Sequence, residues 1–174
     1  MRLLITGGCA CGKSTYAEAL ALRLPGPRFY IATMRPYDAE CIEKIARHRA
    51  QRAGKGFVTI ERETGLASLA LPERGTALLE CMCNLTANEM FAPITFAMRD
   101  PFADIMDGIC ALEKQCAHLI VVTNEVGGEY YPYDATTRAY IEVLGKLNRA
   151  LAARFERVCE MVCGIPLARK GELL

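Results

Sequence analysis

The sequence has 174 residues, of which 52% are apolar, and its formal net charge at pH 7 is +1. This length suits a single domain over residues 1–174 with one sizeable core. The near-neutral charge does not argue for nucleic acid or a membrane surface as a partner, and we expect neither a nucleic-acid partner nor a membrane span. Because the first residues form an apolar strand pattern without a signal-peptide pattern, and no stretch is long enough to span a bilayer, we expect a cytoplasmic protein.

The predicted elements alternate between strands and helices along the chain. Strands are predicted at Arg2–Thr6, Arg28–Thr33, Phe57–Glu61, Ala77–Cys81, His118–Asn124 and Val158–Cys163. Helices are predicted at Ser14–Leu24, Ala39–Gln51, Thr64–Leu69, Asn84–Phe91, Pro101–Gln115 and Ala135–Phe155. Loops are predicted at Pro93–Pro101 and Gly127–Pro132, the second following a strand end, where ligands bind in open α/β sheets. This alternation predicts an α/β fold with a mainly parallel sheet covered by helices on both faces.

The first strand and helix flank the octet GGCACGKS, which fits the phosphate-loop pattern G-x-x-x-x-G-K-[ST]. Glycines let backbone N–H groups wrap a phosphate, and the helix start adds a positive partial charge. We expect Lys13 to reach the outer phosphates and the Ser14 hydroxyl to bind Mg2+. The predicted nucleotide contacts are Gly7, Gly8, Cys9, Ala10, Cys11, Gly12, Lys13, Ser14 and Thr15. A glycine-rich turn without a ligand fits the strand–loop–helix context less well, so the expected class is P-loop NTPase-like (RecA-like).

A basic segment, residues 42–56, covers most of the second predicted helix. Its cations are Lys44, Arg47, Arg49, Arg52 and Lys55, and Glu43 is its single acid. Lys44, His48 and Arg52 are four residues apart and therefore share one helical stripe. The expected buried side consists of Ile42, Ile45 and Ala46.

Two interpretations of the basic segment stay open from its composition alone. One is a solvated helix face, which is what most charge runs form. The other is a polyphosphate clamp centred on His48, because imidazole can attack phosphorus and the neighbouring cations can stabilise charge on phosphates. The second histidine, His118, opens an apolar strand and is interpreted as structural.

Two carboxylates end predicted apolar strands. Glu80 closes a strand that we expect to lie beside the loop strand, which makes it the expected second Mg2+ contact with Ser14. An ordinary carboxylate at the sheet edge is the alternative for Glu80. Glu125 follows another strand, and three roles stay open for it: accepting a substrate proton, holding a metal or holding a ribose.

Nine cysteines are present, an odd number, and no export signal accompanies them. A disulfide framework is therefore not expected, and neither Cys9-x-Cys11 nor Cys81-x-Cys83 has zinc-site spacing. We expect reduced and mostly buried thiols. Cys9 and Cys11 lie within the cationic loop, which suggests the hypothesis that their oxidation blocks the nucleotide site.

Taken in order, these motifs resemble the bifunctional adenosylcobinamide kinase/adenosylcobinamide-phosphate guanylyltransferase family, nearly end to end. The loop alone is shared by many families, whereas the ordered set is more specific. The matching segments are ITGG-x-x-x-GKS, YIAT at 30–33, Asp38 and Glu40, I-x-x-HR-x-x-R at 45–52, LLEC at 78–81 with Asn88, VTNEVG at 122–127, Pro132, Arg138, Gly145, Asn148 and GIPL-x-x-K at 164–170.

The resemblance implies two reactions with Mg2+ and with GTP, or also ATP, as nucleotide. A nucleoside triphosphate phosphorylates adenosylcobinamide, and GTP then transfers GMP through the family's nucleophilic histidine, which falls on His48, to adenosylcobinamide phosphate. Arg49 and Arg52 become phosphate clamps, and Arg138 either faces a phosphate or lies in solvent. The resemblance also implies a homotrimer.

The sequence departs from the family pattern at three places. Glu80 stands where aspartate is common, the chain has no tryptophan, and GEYYPYD follows Gly127. Tyr130, Tyr131 and Tyr133 form either an apolar wall for a corrinoid or packing within the loop. Two rival functions are a small-molecule kinase without a covalent histidine and a nucleotide-dependent regulatory module.

Overall fold

The computed structural model describes residues 1–91, 99–127 and 131–173. Its strands are β1 Arg2–Gly7, β2 Arg28–Ala32, β3 Phe57–Glu61, β4 Thr76–Glu80, β5 His118–Val122, β6 Arg157–Val162 and β7 Ile165–Lys170. Its α-helices are α1 Lys13–Arg23, α2 Ala39–Arg52, α3 Met82–Met90, α4 Phe102–Gln115 and α5 Ala135–Arg154. The six predicted strands and five of the six predicted helices are present. The predicted helix Thr64–Leu69 is wrong, because only a short 3₁₀ turn, Leu66–Ser68, forms there.

The seven strands form one sheet in the order β3-β2-β4-β5-β1-β6-β7. All neighbours pair in parallel except β6 and β7, which are antiparallel. The predicted mainly parallel sheet is therefore confirmed. β7 was not predicted, because this strand is exposed along most of its length and lacks the apolar run by which the buried strands were found.

The expected position of the strand carrying Glu80 is wrong. β4 does not lie beside β1, because β5 pairs with both of them and separates them. Helix α1, which leaves the loop, crosses the sheet and packs against both β4 and β5. Ser14 at the start of α1 consequently reaches the end of β4 over the intervening strand.

Apolar side chains fill both faces of the sheet. On one face, α1 contributes Ala17, Leu20 and Ala21 to a cluster with β-strand residues that include Ile5 and Ile120. On the other face, α3, α4 and α5 pack against residues that include Leu4 and Val121. Neighbouring strand residues point to opposite faces, so each central strand must be apolar throughout, as the sequence pattern indicated.

Helix α2 differs from the other helices because it is mostly exposed. Asp38 caps its start by accepting a hydrogen bond from the Cys41 amide at 2.7 Å. Arg52 is its one buried residue. The expected buried side is wrong for Ile42 and Ala46, which are exposed, since no apolar layer covers this strongly polar helix. Within the described ranges, we find no helix that is both long and apolar enough to cross a membrane.

Candidate active site

The loop between β1 and α1 is shaped by backbone close to the sheet. Gly7 is buried with φ of 137°, and a Cβ atom there would lie 2.5 Å from the carbonyl oxygen of Met161. Gly12 caps the start of α1, and Ala10 also has positive φ, at 55°. On the far side, the Gly164 amide donates to the Cys11 carbonyl at 3.1 Å. The β6–β7 turn therefore supports the loop from behind.

Lys13 places its ammonium group at the centre of this loop. The side chain is buried, and Nζ donates to the Gly7 carbonyl at 3.0 Å and also to that of Gly8. The Cys11 Sγ lies 3.6 Å from the same Nζ. A fixed positive charge next to exposed backbone at a helix start is what a phosphate group requires. Gly8, Cys9, Ala10 and Thr15 are exposed along the rim.

Ser14 and Glu80 meet although they come from separate elements. The Ser14 hydroxyl donates to Glu80 Oε1, and Glu80 Oε2 is buried without a hydrogen-bond partner in the part of the chain that the structure describes. Burial raises the pKa of the Glu80 carboxyl, and the Ser14 hydrogen bond and the charge of nearby His48 oppose that shift. Hydroxyl and carboxylate oxygens are ligands that suit Mg2+, which usually completes its shell with water and substrate phosphates. These residues thus fit the predicted Mg2+ contact.

A cleft joins Glu80 to the basic helix. His48 and Arg52 line it from α2, Glu80 and Cys81 line it from the end of β4, and Tyr30 and Ala32 form its floor on β2. His48 Nδ1, Arg52 Nε and Arg52 Nη1 are buried without hydrogen-bond partners among the described residues. Together with Glu80 Oε2, these atoms bring unpartnered groups of three polar side chains to one cleft, as at a site that binds a polar ligand.

Two other cations of α2, Arg49 and Lys44, are paired with acids. Arg49 Nη2 lies 2.8 Å from Glu61 Oε1 at the end of β3, and both side chains are largely exposed. Lys44 pairs with Glu40 one turn earlier on the helix. Of the predicted stripe, His48 and Arg52 face the cleft, whereas Lys44 is held outside the cleft lining.

Glu125 lies at the mouth of the phosphate loop, just beyond β5. Thr6 Oγ1 donates to Glu125 Oε1 at 3.3 Å, and the Glu125 amide donates to the Gly7 carbonyl at 3.3 Å. Its side chain is exposed. Arg138, in contrast, is exposed on the first turn of α5, which Asp134 caps. Its predicted contact with a phosphate stays a prediction.

Three other predicted positions have different outcomes. Buried Asn88 donates to the carbonyls of Thr33 and Glu63 at 2.7 and 3.0 Å, so it fixes two loops. Tyr131 and Tyr133 lie with ring centroids 5.1 Å apart. Tyr130, part of the same predicted wall, lies outside the described residues, as do the central residues of both predicted loops, 92–98 and 128–130.

Two residues without an assigned role in the sequence have specific contacts here. Tyr30 is 3% exposed and lies under the Arg52 guanidinium, with 3.5 Å between its ring centroid and Arg52 Cζ. Burial, reinforced by the charge of Glu80, raises the pKa of Tyr30 well above its ordinary value. Glu18 is buried on α1 and accepts from Lys55 Nζ at 2.7 Å. The only local signal for either was a polar group within an apolar run.

Cys83 ties the start of α3 to the end of β5. A hydrogen bond from Cys81 lowers the pKa of the Cys83 thiol to about 6, and the same contact raises the pKa of Cys81. Cys83 Sγ also accepts from the Asn124 amide at 3.3 Å. The second Cys-x-Cys pair is therefore a structural contact beside the cleft.

Comparison with known proteins agrees with this arrangement. A family model described as "Cobinamide kinase / cobinamide phosphate guanyltransferase" matches residues 3–168. The chain belongs to this family. The resemblance inferred from the ordered motifs is thereby confirmed.

Curated relatives of this family match along the whole chain. The bifunctional adenosylcobalamin biosynthesis protein CobP of Pseudomonas aeruginosa is 35% identical over 182 residues and is covered completely, as is this chain. The bifunctional adenosylcobalamin biosynthesis proteins CobU of Escherichia coli and Salmonella typhimurium are each 33% identical, over 95% of this chain and 97% of their own length.

A solved structure shares the fold at low sequence identity. It is described as a prototypical ATPase from the type III secretion system of pathogenic bacteria. Its TM-score is 0.55 at 9% identity, covering 97% of this chain and 56% of the other. At this identity the likeness shows the fold alone, and it agrees with the predicted P-loop NTPase-like class.

Proposed function

We propose that this protein is a bifunctional enzyme that phosphorylates adenosylcobinamide and then converts the product to adenosylcobinamide-GDP. The family match and the curated relatives' names support the pair of activities. One observation supports the covalent mechanism: His48 lies in the same cleft as Glu80, the partner of Ser14, and its Nδ1 is buried without a partner among the described residues. A solvated helix face does not require a histidine in that position.

In the kinase step, the loop binds the nucleoside triphosphate and Lys13 stabilises charge on its outer phosphates. Ser14 and Glu80 would hold Mg2+, which when bound would neutralise part of the negative charge of the phosphates. Glu125, exposed at the loop mouth, accepts the proton of the substrate hydroxyl as that oxygen attacks the γ-phosphorus. The bond between the γ-phosphorus and the bridging oxygen breaks, and nucleoside diphosphate leaves.

In the guanylyl step, an imidazole nitrogen of His48 attacks the α-phosphorus of GTP. A P–N bond forms, the P–O bond to the β-phosphate breaks, and pyrophosphate leaves. Arg49 and Arg52 stabilise the charge on the phosphates. A phosphate oxygen of adenosylcobinamide phosphate then attacks the same phosphorus, which breaks the P–N bond and regenerates the histidine. The active form proposed from the family resemblance is a homotrimer.

The test is covalent labelling with GTP carrying phosphorus-32 at the α position, in Mg2+. We expect wild type to retain label that resists alkali and is released by acid, the behaviour of a phosphoramidate. His48→Ala should retain none while still binding GTP. His118→Ala is the matched control, because His118 begins β5 and contacts the amino group of Met1 at 3.3 Å, away from the cleft lining.

Each outcome separates the proposed function from its rivals. An unlabelled wild type that binds nucleotide and phosphorylates a corrinoid would leave a small-molecule kinase without a covalent histidine. Tight binding with no turnover would leave a regulatory module. Label that persists in His48→Ala would assign the covalent step to another residue.

A further inference from the structure

A second cavity, distinct from the cleft that contains His48, lies between the end of α2 and the start of β3. Its volume is about 490 Å3, and it is lined by Arg49, Arg52, Ala53, Gly54, Gly56, Phe57 and Thr59. These described lining residues include two arginines and no acid, whereas Glu61 and Glu80 line the cleft. Even Glu61, which pairs with Arg49 at 2.8 Å, lines the cleft and not this cavity. The lining of the second cavity therefore favours an anion.

Arg52 lines both spaces and supplies unused hydrogen-bond donors. It is 6% exposed, and its Nε and Nη1 have no hydrogen-bond partner among the residues described. Its Cζ lies 3.5 Å from the centroid of the Tyr30 ring, so an aromatic face holds the guanidinium without using its N–H groups. A buried guanidinium with unused donors requires an acceptor, and the oxygens of a phosphate match its geometry.

The turn that closes the cavity is fixed by contacts within the chain. The Lys55 amide donates to the Arg52 carbonyl at 3.1 Å, which occupies one of the carbonyls at the end of α2 that oppose an anion. The Ala53 amide does the same for the Arg49 carbonyl at 3.0 Å. Lys55 Nζ also lies 2.7 Å from Oε2 of buried Glu18, which ties the turn to α1. The cavity is therefore formed before a ligand arrives.

The second cavity opens at the surface of the protein. Gly54, Gly56 and Thr59 are exposed residues of its lining. Gly54 and Gly56 have φ of 77° and 70°, and a Cβ atom added at either would meet no atom within 4 Å. The opening is thus unobstructed by its own lining, so a phosphate at the end of a large molecule can enter while the rest of that molecule stays outside.

We propose that the second cavity binds the phosphate of the acceptor, the phosphomonoester that receives the GMP group. The identity of this acceptor as adenosylcobinamide phosphate rests on the proposed function. In that reaction a second phosphate must approach the phosphorus carried by His48, and the phosphate loop does not line this cavity. Arg52, one helical turn after His48 and in contact with both spaces, neutralises charge between the two phosphates. The acceptor oxygen forms the new P–O bond as the P–N bond to His48 breaks.

The experiment measures binding of adenosylcobinamide phosphate and of adenosylcobinamide by equilibrium dialysis, without nucleotide, from the absorbance of the corrinoid. Wild type should bind the phosphorylated corrinoid about tenfold more tightly, as expected for hydrogen bonds to a charged group. Gly56→Asp places a carboxylate in the cavity and should abolish this preference. Gly56→Asn is the matched control and should keep the preference, because asparagine has a similar shape, also tolerates positive φ and carries no charge.

A second variant tests the side chain that the two spaces share. Arg52→Met removes the charge and keeps an apolar chain over Tyr30, so it should also abolish the preference for the phosphorylated corrinoid. Arg47→Met should retain the preference, because Arg47 is exposed on α2 and lines neither the cleft nor the second cavity.

GTP affinity, measured by calorimetry, separates the acceptor from the nucleotide as the source of the phosphate. Gly56→Asp should bind GTP as wild type does, which also shows that the variant folds. Weaker GTP binding in Gly56→Asp than in Gly56→Asn would assign the cavity to the nucleotide and overturn the inference. A wild type without the preference, a preference that persists in Gly56→Asp, or an equal loss in Gly56→Asn would overturn it as well. An unlabelled wild type in the phosphorus-32 experiment would remove the covalent mechanism and leave this binding test intact.

Discussion

The phosphate loop and helix α2 carry the residues of the two proposed chemistries, and they are built in opposite ways. The loop is enclosed by backbone, because Gly7 lies close to the Met161 carbonyl and the Cys11 carbonyl accepts a hydrogen bond from the Gly164 amide. Its lysine, Lys13, is buried and donates a hydrogen bond to the Gly7 carbonyl. Helix α2 is mostly exposed and makes contacts near its carboxyl end through Arg49 and Arg52. Unpartnered polar atoms occur on α2 and not on the loop lysine.

This difference indicates what each chemistry requires. A phosphate cradle must present fixed N–H groups, and rigid backbone supplies them without reorganisation at the moment of reaction. A nucleophile that bonds to one substrate and passes the group to another must accept two different occupants. A helix held at one end, with unsatisfied side chains facing the cleft, can accommodate both. The following predictions test this contrast, from the largest expected effect to the smallest.

Lys13→Ala should have the largest effect. Removing the charge at the centre of the loop should lower kcat of the kinase step by at least about 100-fold, because no other described side chain is placed to replace it. The measurement is nucleoside diphosphate release in the presence of corrinoid. Lys114→Ala, on the exposed side of α4, is the matched control and should retain wild-type turnover. A Lys13→Ala enzyme within tenfold of wild type would contradict the assigned role.

Two glycine substitutions compare how tightly the phosphate loop and the end of α2 are packed. Gly7→Ala should lower the free energy of unfolding by about 3 kcal/mol, because the new Cβ meets the Met161 carbonyl at positive φ. Gly54, just after α2, also has positive φ but no atom within 4 Å of the added Cβ, so Gly54→Ala should cost about 1 kcal/mol. Urea denaturation measures both. Equal losses would mean that the end of α2 is as constrained as the loop.

Two helix caps test whether α2 unfolds independently of the body. Asp38 and Asp134 each accept a hydrogen bond at 2.7 Å from the amide three residues later, on α2 and α5 respectively. Asp38→Ala should reduce hydrogen-exchange protection across residues 39–52 by about fivefold while leaving the global transition unchanged. Asp134→Ala should shift the global transition, because α5 packs into the core. A global shift in Asp38→Ala would show that α2 belongs to the cooperative core.

The smallest effect is expected at the Arg49–Glu61 ion pair. Glu61→Gln frees Arg49 for phosphate and should tighten GTP binding by at most about fivefold, since exposed pairs are weak. Glu40→Gln is the matched control, because it breaks the Lys44 pair outside the cleft lining and should leave affinity unchanged. Weaker binding in Glu61→Gln would mean that the carboxylate contacts the nucleotide itself.

The sequence predicted the loop well because its determinants are local. Gly7, Lys13 and Ser14 lie within one octet whose spacing fixes which backbone faces a phosphate, so no tertiary knowledge was needed. The central strands were also predicted, because burial on both faces leaves an uninterrupted apolar run. Exposed β7 has no such run and was missed.

Contacts between residues on different elements could not be predicted from the sequence, because they depend on the order of the strands in the sheet. The position of β5 between β1 and β4 brings Ser14 to Glu80 across a strand, whereas direct adjacency had been expected. The contact of Arg52 with Tyr30 joins residues 22 positions apart whose types alone indicate no pairing. The exposure of Ile42 followed from the absence of a covering layer, which periodicity cannot reveal.

Strand β1 pairs with β5 and β6, which the ribosome translates much later, and this has a consequence for folding during synthesis. Leu4 lies opposite Val121 on β5 and Val158 on β6, and the Cys11 carbonyl accepts a hydrogen bond from the Gly164 amide. Roughly 150 further residues must therefore emerge before a loop translated at the start of the chain acquires its supports, and contacts of such high sequence separation form slowly. A bound nucleoside triphosphate can stabilise this fold only once translation has passed β6, so the nascent chain must avoid aggregation without help from the nucleotide.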